Sequence, residues 1–473
     1  MPPRKIILDT DPGIDDILAM LLACSALPEE LELVLISVTY GNIDIQNCLR
    51  NVVSLFHHID QELAWREASG KPAGFQTLRK TKPLVAVGPE GPLNDEMLMS
   101  DFFHGKDGLA GIHSSHPHLS PDQTWKTLFA GHDMPNDAET AELAAELSKK
   151  DGLFRPSSTP AHQEILRLLR ENEPDTITIV AIGPLTNLAL AAAEDTEVFL
   201  RVKEVVVMGG AIHEPGNVRP PPIPLPSAAR EPPFRLIKQA PGSIRNALNE
   251  RNQMNPVAEF NTFADTYAAA RVYALTSPNP RTTMPPVPPA PPGKISDEEP
   301  PPYLAPYPAK LSRQLKVTLF PIDITEKHVI TQGEFGKTIA PLLAAKSPLA
   351  EWMSAFMTAT FENVGKLRDD VSGDKVFLQL HDPLCIAYCM AGVGSGWQIQ
   401  ADVDMRVETA GQWTKGMCVV DRRSRRRRDD DNEVASDRGT WLSNRAGNRI
   451  GICVGTPIEK TFSGMLLKRV IAL

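Results

Sequence analysis

Short apolar runs alternate along the chain with stretches of helical periodicity. Ile6 to Leu8 is a continuous apolar run and reads as a buried parallel strand. Pro12 and Gly13 then force a tight turn. Ile14, Ile17, Leu18, Leu21 and Leu22 follow at helical spacing, which predicts a helix beginning near Asp15. Further strands are predicted at Leu33 to Thr39, Leu84 to Val87, Thr176 to Ala181 and Glu204 to Met208. The helical patterns HQEILRLLREN and LTNLALAAAE flank the run TITIVA. This rhythm predicts an α/β fold with one largely parallel sheet. No internal repeat is visible.

Open parallel sheets gather their ligands at the carboxyl ends of their strands. Here those ends carry Asp9 to Asp16, then Tyr40-Gly41-Asn42, Ile182-Gly183-Pro184 and Gly209-Gly210. The first group matters most. Asp9, Asp11, Asp15 and Asp16 crowd a strand-to-helix turn, where they repel one another and raise each other's pKa. An N-cap and the helix dipole account for two of them. A hard cation accounts for all four, because Ca²⁺ takes six to eight oxygens and Mg²⁺ takes carboxylates plus water.

Composition narrows the function classes. The 473 residues include 42% hydrophobic positions, enough for a sizeable core, and the net charge of −9 argues against general nucleic-acid binding. Arg4 and Lys5 lead straight into a short strand, unlike a signal peptide, and no apolar run is long enough to cross a membrane. Six cysteines without metal-type spacing suit a reducing compartment, with the cytoplasm as the expected location; Cys385 and Cys389 read as helix core. His113, His116 and His118 lie in a loop pattern without acidic or cysteine partners, which weighs against zinc. The 43 prolines are the anomaly. Three stretches, 219–254, 278–314 and 421–448, break the α/β pattern and read as exposed or disordered insertions within a single domain over 1–473. The run RRSRRRRDDD reads as a solvated loop neutralised by its own aspartates, in preference to a nuclear-import or nucleic-acid patch.

DTDPGIDD at 9–16, between a strand and a helix, resembles the signature of the inosine–uridine-type nucleoside hydrolases. Further segments agree in order: TYGN at 39–42, HGKDGLAG at 104–111, GPLTNLA at 183–189, MGGA at 208–211, GNV at 216–218, PVAEFN at 256–261 and HDPLCIA at 381–387. The tail from Asp421 to Gly455 resembles only the longer, fungal-type members. The resemblance implies a single open, mostly parallel, Rossmann-like sheet and hydrolysis of the N-glycosidic bond of ribonucleosides with a tightly held Ca²⁺. It implies Asp11 as the base toward the water on the ion, also touching the metal. Asp16 becomes a ligand through both oxygens, and Asp382 and the carbonyl of Ile182 become further ligands. Asp9 would complete the metal sphere or the layer behind it. Asp15 accepts from the ribose 2′-hydroxyl; Asn42, Asn217, Glu259 and Asn261 line the ribose pocket; His104 joins the substrate-binding set; His381 faces the leaving base. Partners are small-molecule ribonucleosides and further copies of the chain, as a dimer or tetramer, with no nucleic acid and no membrane. The chemistry is coherent, since an oxocarbenium-like state needs delivered water, nearby carboxylates and a proton donor for the base.

One departure stands out. Family members run GNV into PVAEFN with one residue between, whereas here Asn217 and Glu259 stand 42 positions apart. Removing the 36 residues Arg219 to Met254 restores the family spacing, and a retained intron would insert such a whole number of codons. Two competing readings follow. One is an impaired family member that binds nucleoside or metal without turnover, its ribose pocket split by the insertion. The other is a haloacid-dehalogenase-type phosphatase, since IILDTDPG also fits a strand ending in Asp-x-Asp; that class does not predict MGGA, PVAEFN or HDP.

Overall fold

A computed structural model describes the chain apart from residues 1–2, 122–128, 130–151, 219–254, 288–300, 368–370, 391–395, 424, 429–435 and 472–473. The strands in chain order are β1 (Arg4–Thr10), β2 (Leu31–Val38), β3 (Leu84–Val87), β4 (Arg155–Pro156), β5 (Ile177–Ala181), β6 (Glu204–Met208), β7 (Val317–Phe320), β8 (Val329–Thr331), β9 (Phe377–Gln379), β10 (Gln398–Val403), β11 (Met405–Val407), β12 (Cys418–Val420) and β13 (Ile450–Gly455). The predicted strands therefore all form, with ends shifted by at most two residues. The first helix spans Ile14–Cys24, starting one residue before the predicted point.

Among the described residues, nine strands make the central sheet in the order β10-β13-β7-β6-β5-β1-β2-β3-β4. Every pairing is parallel except β10 on β13. The chain winds outward from β1 through β2 and β3, then returns to place β5 on the other side of β1. The carboxyl ends of β1 and β5 thus flank a topological switch point, where open α/β sheets form their crevice.

Both faces of the sheet are covered. Ile6 and Leu8 pack toward the helices Ile14–Cys24, Ile45–Ala68, Pro348–Leu367 and His381–Met390. Ile7, Ile179, Val205 and Val207 pack toward Ala161–Glu171, Thr186–Glu194 and Thr266–Ala274. Helix Ile14–Cys24 is buried along its whole length, and each of its enclosed Leu and Ile side chains contributes about 2 kcal/mol. Its neighbour is helix His381–Met390, so positions 15–16 and 382 meet although they are far apart in sequence. All six cysteines are buried and unpaired, including Cys385 and Cys389 on that helix, as expected of core residues.

Two of the three stretches that break the α/β pattern are partly described. Most of residues 301–315 are exposed, Pro301, Pro302, Pro306 and Pro308 among them, but three side chains anchor the segment to the sheet's second face. Leu304, Tyr307 and Leu315 are buried there, and the Arg271 guanidinium donates to the carbonyls of Leu304 and Ala305 while lying over the Tyr307 ring. In the arginine run, Arg423 pairs with Asp421, and Arg427 lies 3.6 Å from Asp404. The expected insertion at 219–254 lies outside the described residues. No helix of the described residues is long and apolar enough to cross a membrane.

Candidate active site

β1 ends at Thr10, and the turn at Pro12-Gly13 launches the helix whose first turn carries Asp15 and Asp16. One oxygen each from Asp15, Asp16 and Asp382 lies within 4.8 Å of the others, the only such group of three potential metal ligands among the described residues. All three carboxylates are buried. Asp16 is held by four donors. Its Oδ1 accepts from Thr10 Oγ1 (2.6 Å) and the Asp11 amide (3.3 Å), and its Oδ2 from the Gly13 amide (3.0 Å) and Asn42 Nδ2 (2.9 Å). Ligation through both Asp16 oxygens, which the resemblance implies, would compete with these bonds. Asp15, expected at the ribose, belongs to the cluster, whereas Asp11, expected on the metal, stands beside Asp16 outside the group of three.

Asp11 is fully buried. Its Oδ2 accepts from the Asn42 amide at 2.7 Å, and its Oδ1 has no partner. Two glycines make the space. A methyl group at Gly183 would sit 2.5 Å from Asp11 Oδ1, and one at Gly41 would overlap Oδ2. Burial, then the charge of Asp16, raises the Asp11 pKa well above the usual range. Burial and Asp16 likewise raise Asp15 to about 7, and burial with the neighbouring aspartates raises Asp382. Such a set of buried, oxygen-only, mutually repelling ligands fits a hard divalent cation.

Asp9 stands apart. It points to the opposite face of β1, where its Oδ2 accepts from Ser37 Oγ (2.5 Å) and Asn187 Nδ2 (2.9 Å). It ties β1 and β2 to helix Thr186–Glu194 and is not one of the clustered carboxylates. The period of two along a strand sends Asp9 and Thr10 to different faces.

Above the cluster opens a cavity of about 250 Å³. Asp15, Asn42, His104, Ile182, Asn217, Glu259, Asn261, His381 and Asp382 all line it, so these predicted residues converge on one cleft, with Asp11 and Asp16 beneath its wall. Glu259 caps helix Phe260–Ala264. Its Oε1 accepts from the Asn261 amide (2.7 Å), and its Oε2 from the amides of Thr262 (2.9 Å) and Gly210 (2.8 Å). Asn261 Nδ2 donates to the carbonyl of Ile182 at 2.9 Å. The insertion does not part this wall. Val218 and Asn255, which bracket residues 219–254, form an antiparallel bridge. The Asn217 amide donates to the Ala258 carbonyl at 3.1 Å, and Asn217 Oδ1 accepts from the Phe260 amide at 2.9 Å.

Two histidines face the cleft, His104 buried and His381 half-buried. His104 Nδ1 lies 3.1 Å from the Ile14 amide, an obligate donor, so the ring carries its proton on Nε2. His381 Nδ1 pairs with Thr325 Oγ1 at 2.7 Å. Burial lowers His104 to about 3 and His381 to about 4. Both shifts favour the neutral ring at neutral pH. His113, by contrast, spends both ring nitrogens on Ser120 and Asn51.

Sequence reasoning missed Ser100, whose hydroxyl donates to Asn42 Oδ1 at 3.0 Å, and Thr325 behind His381. It also missed the apolar wall of Leu98, Phe103, Met208 and Leu378. Phe103 adjoins HGKDGLAG and Met208 opens MGGA; Leu98, Ser100, Thr325 and Leu378 carry no local signal.

The chain is 31% identical over 218 residues to uridine nucleosidase 1 of Arabidopsis thaliana, a match covering 46% of this chain and 48% of that protein, so it spans about half the length of that curated relative. It is 25% identical over 418 residues to an uncharacterized protein of Schizosaccharomyces pombe, covering 88% of this chain and 89% of that one. The solved structure of a plant nucleoside hydrolase superposes with a TM-score of 0.58 at 21% identity over 100% of both chains, a likeness of fold. The family description "inosine-uridine preferring nucleoside hydrolase" matches residues 6–439, and the chain belongs to that family.

Proposed function

We propose that this chain hydrolyses the N-glycosidic bond of ribonucleosides, purine or pyrimidine, to ribose and free base. The observation that carries this reading is the buried Asp15–Asp16–Asp382 cluster at the floor of a cleft walled by Asn217, Glu259 and Asn261 and by two neutral histidines. Asp15, Asp16, Asp382 and the Ile182 carbonyl would hold Ca²⁺, with Asp11 beside them. When bound, the ion supplies positive charge that keeps these carboxylates ionised and lowers the pKa of water.

The chain's own residues divide the remaining work. Asp11 Oδ1, buried and without a partner, is placed to take the proton of the attacking water. Asp15 accepts from the ribose 2′-hydroxyl. Glu259, Asn217 and Asn261 orient the rest of the sugar. The carboxylates favour the positive charge that develops on the ribose. His104 offers a fixed Nε2–H, and His381 donates toward the leaving base when Thr325 donates to its Nδ1. Base release of this kind suits nucleoside salvage.

The bridge between Val218 and Asn255 weighs against the reading of an impaired member with a split pocket. The test is hydrolysis of inosine and uridine, with Ca²⁺ and with chelator. Turnover that chelator removes is expected; no turnover of any ribonucleoside in Ca²⁺ would overturn the proposal. Assembly as a dimer or tetramer belongs to the same proposal and is read by light scattering.

A further inference from the structure

The cleft has an outer brace that none of its motifs contains. After β11 the chain turns through residues 408–417 and returns as β12. This hairpin runs along the back of the segment carrying Glu259 and Asn261. Met417 forms an antiparallel bridge with Ala258, and the Lys415 carbonyl accepts from the Asn255 side chain. Gly416, at φ +81°, lies so close that a methyl group there would sit 2.9 Å from Ala258 Cβ and 3.0 Å from the Phe263 ring. The Lys415 side chain then crosses to a different wall. Its ammonium lies 2.5 Å from Asp95 Oδ1 and 5.9 Å from the Phe263 ring centre. Asp95 Oδ2 accepts from Thr266 Oγ1 at 3.0 Å. Asp95 sits in the loop leading to Leu98 and Ser100, which line the cleft.

We infer that Lys415 is a positioning residue for the sugar side of the cleft, joining the wall of Asn255–Asn261 to the wall of Asp95–Ser100. The Lys415 side chain is 32% exposed and the Asp95 carboxylate 9%, so the pair is partly shielded, and loss of the ammonium leaves Asp95 with Thr266 alone. The loosening falls on one side only. Asn217, Glu259 and Asn261 depend on this brace, whereas Asp15, Asp16 and Asp382 sit on the paired helices Ile14–Cys24 and His381–Met390. Lys415 therefore governs substrate binding more than the reacting centre.

The kinetic arm rests on the nucleoside-hydrolase reading; the exchange arm does not. Lys415→Met is expected to raise KM about threefold to tenfold with kcat within about twofold, the range of one partly shielded ion pair. Lys415→Arg should restore KM. Asp95→Asn should raise KM similarly, and the double variant should add little to either single change. Amide exchange over residues 255–262 should quicken in Lys415→Met. If the parent hydrolyses no nucleoside, the exchange result alone decides. Unchanged exchange, or a loss carried by kcat with KM unmoved, overturns the inference.

Discussion

Removing one carboxylate from the buried cluster should have opposite consequences with and without Ca²⁺. Take Asp382→Ala. The oxygens of Asp15, Asp16 and Asp382 lie within 4.8 Å of one another. Two unit charges at that separation repel by about 3 kcal/mol at an effective dielectric constant near 20. The chelated parent relieves part of this by protonation, since burial and then the charge of Asp16 raise Asp15 to about 7, and burial and then the charge of Asp15 raise Asp382. A carboxyl raised in the folded state stabilises the fold while protonated. That contribution is complete below about pH 4, the unfolded value, and is lost as pH rises toward 7. The chelated parent should therefore lose stability from about pH 4 to 7, and Asp382→Ala should flatten this slope and melt no lower than the parent at pH 7. In Ca²⁺ the order inverts. At a hundredfold excess over Kd, binding stabilises the parent by about 2.7 kcal/mol, and the variant, lacking a ligand, gains none of it. Melting curves in Ca²⁺ and in chelator, with calorimetry on stripped protein, read both effects. One Ca²⁺ per parent chain is expected. Unchanged stoichiometric binding in Asp382→Ala would remove Asp382 from the site, and no thermal response of the parent to Ca²⁺ would refute the cation.

Asp11→Asn should lower kcat about a hundred- to ten-thousand-fold with an unchanged melting temperature, because the amide keeps the acceptor for the Asn42 amide but cannot take a proton; parent-like turnover removes Asp11 as the base. Replacing residues 219–254 by Asn-Gly should give a folded chain with kcat/KM on inosine and uridine no lower than that of the full chain, since the antiparallel bridge of Val218 and Asn255 accepts a two-residue turn; an unfolded or less active product would assign the segment to the native structure. Asp9 is raised to about 7 by burial, against the hydrogen bonds from Ser37 and Asn187, so its contribution to stability also declines as pH rises from about 4 to 7. Asp9→Asn should flatten that decline in urea titrations at several pH values and leave Ca²⁺ binding intact; loss of Ca²⁺ would return Asp9 to the metal sphere.

What the chain announces locally is what local physics controls. Apolar runs such as Ile6–Leu8 and Glu204–Met208 become strands because their side chains suit burial on both faces, and the Pro12-Gly13 turn with its four aspartates marks the ligand edge because a turn and a charge cluster are short-range events. Which aspartate does what is not local. Asp9 and Asp11 are two residues apart, yet one pairs with Ser37 and Asn187 and the other with the Asn42 amide beside Asp16, because the strand ends between them. Asp15 joins Asp382 only because two distant helices pack together. The histidines turn out neutral because burial is a property of the assembled cleft. The 42-position gap between Asn217 and Glu259 looks disruptive along the chain, but backbone pairing at Val218 and Asn255 closes it in space. Loop-closure entropy grows only logarithmically with length, so sequence separation says little about whether two walls of a site can meet. Their meeting is decided by tertiary contacts, here those of Asn255, Ala258 and the C-terminal hairpin.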